Sequence, residues 1–540
     1  MCGILAIIGK GKDEAAVQEL SQRMSHRGPD ERDVHVTEKG HFLAHERLSI
    51  IDLHTGKQPI QGTSTAWMVH NGEIYNHKAL RQGILKDHTF RTTSDSEVIV
   101  HLYEKFGYDF CNYLDGMFAF VVIDGDDYIA GRDPLGVKPL YYGIDERGRM
   151  YFASEMKAIA DQCKTFSTFP PGHYYTPETG FVKYYQPKWE DETLAVEELD
   201  LKAIRETLSE SVRKRLMSDV PIGVLLSGGL DSSLTSSIAA RYMIEMGKPL
   251  HSFSIGLDAD APDAKAAKKV AEFLGTEHHE IHFTIEQGIE ILDQLIWHLE
   301  TYDVTSVRAS TPMYFLSKAI TERGIKVVLS GEGADEIFGG YLYFRNAPSV
   351  MDFQKETIER VQKLFTADLL RADKSTMAHG LEARVPFLDK AFLELAIKIK
   401  PEEKMPQTYQ GVEKYILRKA FDTPEQPYLP DEVLWRQKEQ FSDGVGYNWI
   451  DTLIDFCASQ VTDEEFEKAA ELFPYNTPAT KEAFYYRSIF QKHFPQTAAA
   501  QTVRKWIPKW QENQDPSGRA NAAHVKADTS IATLKVDVPA

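Results

Sequence analysis

Cys2 directly follows the initiator methionine. A small second residue is what methionine removal requires, so the mature chain is expected to begin with the cysteine, putting a thiol and a free α-amine on one residue. An α-amino group titrates at about 7.7 to 8.0, so near neutral pH a useful fraction can take the thiol's proton, and a chain-terminal nucleophile carries its own base. A second constellation is GVLLSGGLDSS, Gly223 to Ser233: an apolar strand, a loop of small residues, and a helix opening with Ser232 and Ser233. Such a turn offers unpaired backbone N–H groups and the positive end of a helix dipole, a ready anion site. It lacks the lysine of GxxxxGKS/T and is not a Walker loop. LSGEGADEIFGGY, Leu329 to Tyr341, follows the strand-like IKVV and again sets Ser and Gly beside acidic residues at a strand end. Ligands collect at those ends in open parallel sheets. Asp231 and Asp335 are the candidate Mg²⁺ ligands, because Mg²⁺ takes one or two carboxylates plus substrate oxygens.

The elements around these residues predict two kinds of domain. Up to about Pro187, short β-rich runs such as TAWMVHNGEIY and MFAFVVID alternate with turn residues, with helical stretches near 13 to 25 and 95 to 106, which predicts a largely antiparallel sheet with packed helices. EDETLAVEELD, Glu190 to Asp200, is an acidic, turn-poor connector. Beyond it Leu201, Ile204, Leu208, Val212 and Leu216 recur at helical spacing, and VPIGVLL, HSFSIGL, HHEIHF and IKVVLS are apolar runs divided by helical segments. That alternation predicts a doubly wound parallel sheet. Gly247 and Gly275 fall where helix C-termini need a left-handed residue. From about Ala347 to Phe494 the chain reads as mostly helical, interrupted by TPEQPYLP. The last stretch, from QDPSGRANAAHVKADTS, is small and polar and is expected to be disordered.

SHRGPDE (Ser25 to Glu31), AHERLSIID (Ala44 to Asp52), HNGEIYN (His70 to Asn76), TTSDSEVI (Thr92 to Ile99) and GRDPLGVKPLYY resemble, in order, the glutaminase domain of class II amidotransferases. The resemblance implies that Cys2 attacks the side-chain amide of glutamine, giving a glutamyl thioester and ammonia. A tetrahedral intermediate needs donors for its oxyanion, which the Asn71 amide and the Gly72 backbone N–H could supply. Arg47 suits glutamine's α-carboxylate, and Glu73 and Asp95 its α-ammonium. SGGLDSS resembles the pyrophosphate loop of enzymes that cleave ATP between its α and β phosphates. With HGLEARVPFLD (His379 to Asp389) and WRQKEQFSDGVGY (Trp435 to Tyr447), the chain to about residue 515 is similar to the glutamine-hydrolysing asparagine synthetases of the bacterial B type.

That resemblance implies an N-terminal-nucleophile αββα glutaminase domain at 2–187, a linker at 188–200, a doubly wound ATP-pyrophosphatase-like synthetase domain with a helical C-terminal part at 201–515, and a tail at 516–540. It implies that the β-carboxylate of aspartate attacks ATP to form β-aspartyl-AMP and pyrophosphate, and that ammonia crosses an internal tunnel to displace AMP. Carried onto this sequence, Ser227, Gly228, Gly229, Asp231 and Ser232 hold pyrophosphate and Mg²⁺, and Leu226, Ile255, Ser330 and Gly331 surround the adenosine. Lys438 neutralises phosphate charge, and Glu332 accepts a proton from the attacking ammonia. Arg308 and Asp368 are further candidates, and Met117 a candidate for the ammonia path. A homodimer is expected from the resemblance.

Composition bounds the alternatives. A formal net charge of −19 repels phosphate backbones and anionic membranes, so neither nucleic acid nor a membrane is an expected partner. The four cysteines, Cys2, Cys111, Cys163 and Cys457, form no CxxC pair, which fits a reducing cytoplasm. EHHEIH, Glu277 to His282, offers metal-ligand types, but alternate residues of one strand face opposite sides, so no zinc site is expected there. VRKR, Val212 to Arg215, reads as the solvated face of a helix. The related β-lactam-forming enzymes lack the terminal cysteine and carry tyrosine in place of the glutamate, whereas Cys2 and Glu332 are both present here. A sugar-aminating enzyme would need a phosphosugar domain instead of SGGLDSS, and a catalytically silent protein would not need a competent residue at every position.

Overall fold

The computed structural model describes residues 2–258, 262–437, 446 and 448–512. Two six-stranded antiparallel sheets build the first half. One runs in the order Thr165–Thr168, Tyr141–Ile144, Met150–Ala153, Gly3–Ile8, Phe42–Arg47, Glu31–Val36. The other runs Gly180–Lys183, His173–Thr176, Asp127–Arg132, Gly116–Asp124, Trp67–Ile74, Ile60–Gln61. Strand alternation divides the apolar residues between faces. Ile4, Ala6 and Ile8 meet Val69, Val121 and Ile123 between the sheets, while Leu5 and Ile7 lie under Val17 and Leu20 of the helix Glu14–Gln22. The helix Val98–Phe106 covers Met68, Phe118 and Phe120 on the second sheet. The layers are therefore helix, sheet, sheet, helix, as expected.

The second half is built on a five-stranded parallel sheet in the order Glu277–His282, His251–Gly256, Ile222–Leu225, Val327–Leu329, Glu382–Arg384. Four of these strands are the predicted apolar runs. The fifth, Glu382–Arg384, has three residues and no apolar run, and only its pairing with Val327–Leu329 makes it a strand. The helix Leu201–Arg215 forms as its spacing predicts, with the Asp200 side chain accepting from the Ala203 N–H at 2.9 Å. Gly247 and Gly275 end their helices with φ of +64° and +66°. From Val350 onward the chain is mostly helical, and TPEQPYLP lies between the helices Tyr415–Phe421 and Asp431–Leu434.

Leu48, Ile50, Met117 and Val137 of the first half share one apolar cluster with Val224, Val385 and Leu388 of the second. Each such buried side chain contributes roughly 1.5–3 kcal/mol, so the two halves meet through a core and not through a wet contact. The 188–200 segment is pinned, with Trp189 buried and Glu197 bridged to Ile399. Among the described residues no helix is long and apolar enough to cross a membrane. Lys438 and the expected tail, 516–540, lie outside the described residues.

Candidate active site

Cys2 sits at the start of the strand Gly3–Ile8, held by pairing with Phe42–Arg47 and Met150–Ala153. It is 8% exposed, and burial pushes its thiol above the ordinary value, so ionisation needs a proton acceptor within the site. Its backbone N–H donates to Asn71 Oδ1 at 2.9 Å. That bond leaves Asn71 Nδ2 buried and, among the described residues, without a hydrogen-bond partner. An orphaned buried donor costs about 1–3 kcal/mol, a cost that an oxyanion would repay. Gly72 has φ +144°, and a Cβ there would meet the Met117 carbonyl at 1.9 Å, so only glycine fits.

The expected glutamine-holding residues are also here, with partners the sequence does not announce. Arg47 is buried, with Nη1 2.6 Å from Glu31 Oε2 and Nη2 donating to the Asp52 carbonyl. Glu31 is 43% exposed on its side chain, so an incoming carboxylate can replace it. Asp95 accepts from the Ile74 N–H at 2.7 Å, and burial pushes its carboxyl up to about 6. Glu73 lies 3.2 Å from Arg384 Nη2, on the edge strand of the other half, and burial raises its carboxyl well above the usual range.

The second constellation opens on a cleft of about 1060 Å³ at the C-terminal ends of the parallel strands. Leu226, Ser227, Asp231, Ser232, Ile255, Ser330, Gly331, Glu332, Asp335 and Asp368 all line it, so the structure gathers nearly every predicted residue of that half in one place. Gly229 lines an adjoining cavity with Lys414, Arg418 and Arg436, three cations beside the small-residue loop. Gly228 has φ +75°, and its carbonyl accepts from Arg436 at 3.1 Å. Loop meets loop closely here: a Cβ on Gly331 would stand 2.7 Å from the Ser232 nitrogen.

Charge in the cleft is arranged in pairs. Lys414 Nζ lies 2.6 Å from Asp231 and 2.8 Å from Asp335. Arg371 Nη2 lies 2.9 Å from Glu332 and 3.1 Å from Asp368. Glu336, buried and accepting from Tyr341 Oη at 2.6 Å, is pushed up to about 8 by burial first and by Asp368 and Asp335 next. Arg308 does not line the cleft; it makes a bidentate pair with Glu482, with Nε at 2.9 Å and Nη2 at 2.6 Å. Met117 is buried in the apolar cluster between the halves. Lys414 and Arg371 fall in no motif, because lone charged residues on helices and loops carry no pattern of their own, whereas Glu336 and Arg436 stand inside LSGEGADEIFGGY and WRQKEQFSDGVGY, whose pattern does not single them out.

One helix spans the distance between the two sites. Asp368–Met377 begins in the cleft with Asp368 and Arg371, and farther along Asp373 receives Arg27 Nη1 at 2.8 Å. Arg27 in turn donates to the Cys2 carbonyl at 3.1 Å and to Glu155 at 2.9 Å.

The sequence profile of the glutamine amidotransferase domain matches residues 1–175, and that of asparagine synthase matches residues 203–355 and 346–514. The chain belongs to the glutamine-hydrolysing asparagine synthetase family. An asparagine synthetase [glutamine-hydrolyzing] of Zea mays is 50% identical over 98% of this chain and 94% of its own. A probable asparagine synthetase [glutamine-hydrolyzing] of Dictyostelium discoideum is 51% identical over 97% of this chain and 99% of its own. Asparagine synthetase [glutamine-hydrolyzing] 1 of Arabidopsis thaliana is 50% identical over 96% and 93%. The asparagine synthetase architecture is the frame for both sites: the Cys2 pocket lies within the amidotransferase match, and the cleft within the synthetase match.

Proposed function

We infer that the Cys2 pocket and the cleft are the two stations of one reaction, in which glutamine, aspartate and ATP give asparagine, glutamate, AMP and pyrophosphate. The observation that carries this reading is the helix Asp368–Met377, which presents Arg371 to Glu332 at one site and Asp373 to Arg27, and through it Cys2, at the other.

The Cys2 sulfur attacks the glutamine amide carbon, with Asn71 Nδ2 and the Gly72 N–H facing the oxyanion. The thiol proton passes to the nitrogen, ammonia leaves, and water hydrolyses the thioester to glutamate. Arg47 orients the α-carboxylate and Asp95 the α-ammonium, with Glu73 beside them. In the cleft, Ser227, Gly228, Gly229 and Ser232 receive the pyrophosphate portion of ATP at the N-terminus of the helix Leu230–Glu245. Leu226, Ile255, Ser330 and Gly331 flank the adenosine. A β-carboxylate oxygen of aspartate displaces pyrophosphate from the α-phosphorus. Ammonia then attacks the acyl carbon, giving its proton to Glu332 as AMP leaves. Met117, in the apolar wall between the sites, suits a path for neutral ammonia. Lys438, in WRQKEQFSDGVGY, neutralises phosphate charge.

Asp231 and Asp335 fit a magnesium ion: both carboxylates already converge on a single cation, the Lys414 ammonium. Magnesium bound there would supply positive charge to the triphosphate. The bacterial B type, a cytoplasmic location and a homodimer complete the proposal. They are supported by the motif set, by four free cysteines and by the family resemblance.

Incubation with aspartate, Mg-ATP and amide-labelled glutamine, with products identified by mass, tests the whole reading. Labelled asparagine with AMP and pyrophosphate supports it; glutamate and ammonia alone would remove the synthetase half. Sedimentation of the purified chain tests the dimer.

A further inference from the structure

At the other end of the parallel sheet, away from the cleft, three side chains converge that the reaction does not use. His251 and Glu277 open adjacent strands and are direct partners in register, and His279 pairs with Phe253. With a side-chain period of two, residues 251, 253, 277 and 279 share one face. The expectation that EHHEIH cannot hold a metal treats that strand alone. The structure adds His251 from the neighbouring strand to Glu277 and His279.

The distances have a specific meaning. His251 Nδ1 is 3.3 Å from His279 Nε2 and 3.3 Å from Glu277 Oε2, and the three ligand atoms lie within 4.8 Å of one another. A tetrahedral ion with bonds of about 2.0–2.1 Å separates its ligands by about 3.3–3.4 Å. One ring nitrogen carries at most one hydrogen, so hydrogen bonding from His251 Nδ1 can serve only one of these two neighbours, whereas a shared cation serves all three. The two imidazoles are stacked at 5.5 Å, and His279 is stacked on Phe253 at 4.8 Å, which fixes their orientation. His278, facing the other side, has both ring nitrogens engaged by Ser252 and Ser254, at 2.9 and 3.1 Å. The site opens to solvent, with the Glu277 side chain 61% exposed.

We propose that His251, Glu277 and His279 form a binding site for a divalent transition-metal ion, zinc in the first instance, with three protein ligands and one position left to water. The ion braces the sheet's outer strand pair. Ile255, which lines the cleft, is four residues further along the same strand, about 13 Å away, so the site is separate from the nucleotide.

The test uses the full-length protein stripped of metal with a chelator, titrated with zinc by calorimetry and assayed for retained zinc after dialysis. One zinc per chain is expected, with a raised melting temperature. His251→Ala/His279→Ala should lose that equivalent, and Glu277→Gln, at an exposed position, should weaken binding by at least about tenfold. Circular dichroism confirms that each variant is folded, and glutamine-dependent synthesis should persist in all of them. Retention of the equivalent by the folded double variant, or no binding by the parent chain at micromolar zinc, overturns the proposal.

Discussion

Arg27 and Asp373 are joined by a 2.8 Å ion pair in which Arg27 is fully buried. Arg27 also holds the Cys2 carbonyl, and Asp373 rides on the helix that carries Arg371 to Glu332. The pair thus joins the strand that begins at Cys2 to the helix that opens in the cleft. Asp373→Asn keeps an acceptor for Arg27 but removes the charge. Glutamine hydrolysis should continue while asparagine formed per glutamine consumed falls about two- to thirtyfold, the range for couplings of 0.5–2 kcal/mol. Measured stoichiometry decides; an unchanged ratio would show that the link is only structural.

Cys2→Ala should abolish glutamine-dependent synthesis and leave ammonium-dependent synthesis near the parent rate, since the cleft residues are untouched. Loss of both activities in a folded variant would count against separable sites.

Asp95, with its carboxyl at about 6, must be charged to hold an ammonium group. Its charge is lost as pH falls through that value, so glutamine binding to the Cys2→Ala protein should weaken about tenfold per pH unit below 6. In Asp95→Asn, binding should be weak at all pH values and its profile flat. Calorimetry from pH 5 to 8 makes the comparison.

Glu336 is raised to about 8 in the folded chain, against about 4.3 in an unfolded one. Between these values the folded state holds a proton that the unfolded state has released, so stability falls as pH rises, by up to about 1.4 kcal/mol per unit. Glu336→Gln should flatten that slope in urea unfolding at pH 6, 7 and 8. A slope equal to the parent's would rule this carboxyl out as its source.

Lys414→Met removes the ammonium that Asp231 and Asp335 share. Losing the ammonium removes two close ion pairs to part-buried carboxylates, so the melting temperature should drop. Magnesium should restore part of that loss if the two carboxylates bind it, and no magnesium response would argue against that site.

Much of both sites is legible in the sequence, because tight loops at strand ends demand particular residues. Gly72 and Gly331 sit where a Cβ would strike backbone, and so does Gly228 of SGGLDSS, at φ +75°, where a Cβ would stand 2.6 Å from the Ala267 nitrogen. The sequence is silent where function rests on single long side chains meeting across the fold. Arg27 and Asp373 are 346 residues apart, and Lys414 reaches Asp231 from a different element. The strand Glu382–Arg384 is equally hidden: it reads Glu-Ala-Arg, with no apolar run, and it is strand-like only because a neighbour and the other half enclose it.

That strand has a further consequence. It ends the parallel sheet, and an open sheet edge is a template on which other chains can add. Arg384 is fully buried against Glu73, so the amidotransferase half shields the edge as it completes its own pocket. Severed from that half, the synthetase half would expose an unguarded border and be prone to self-association. Solubility on expression, as much as ammonia transfer, is a reason for the two to share one polypeptide.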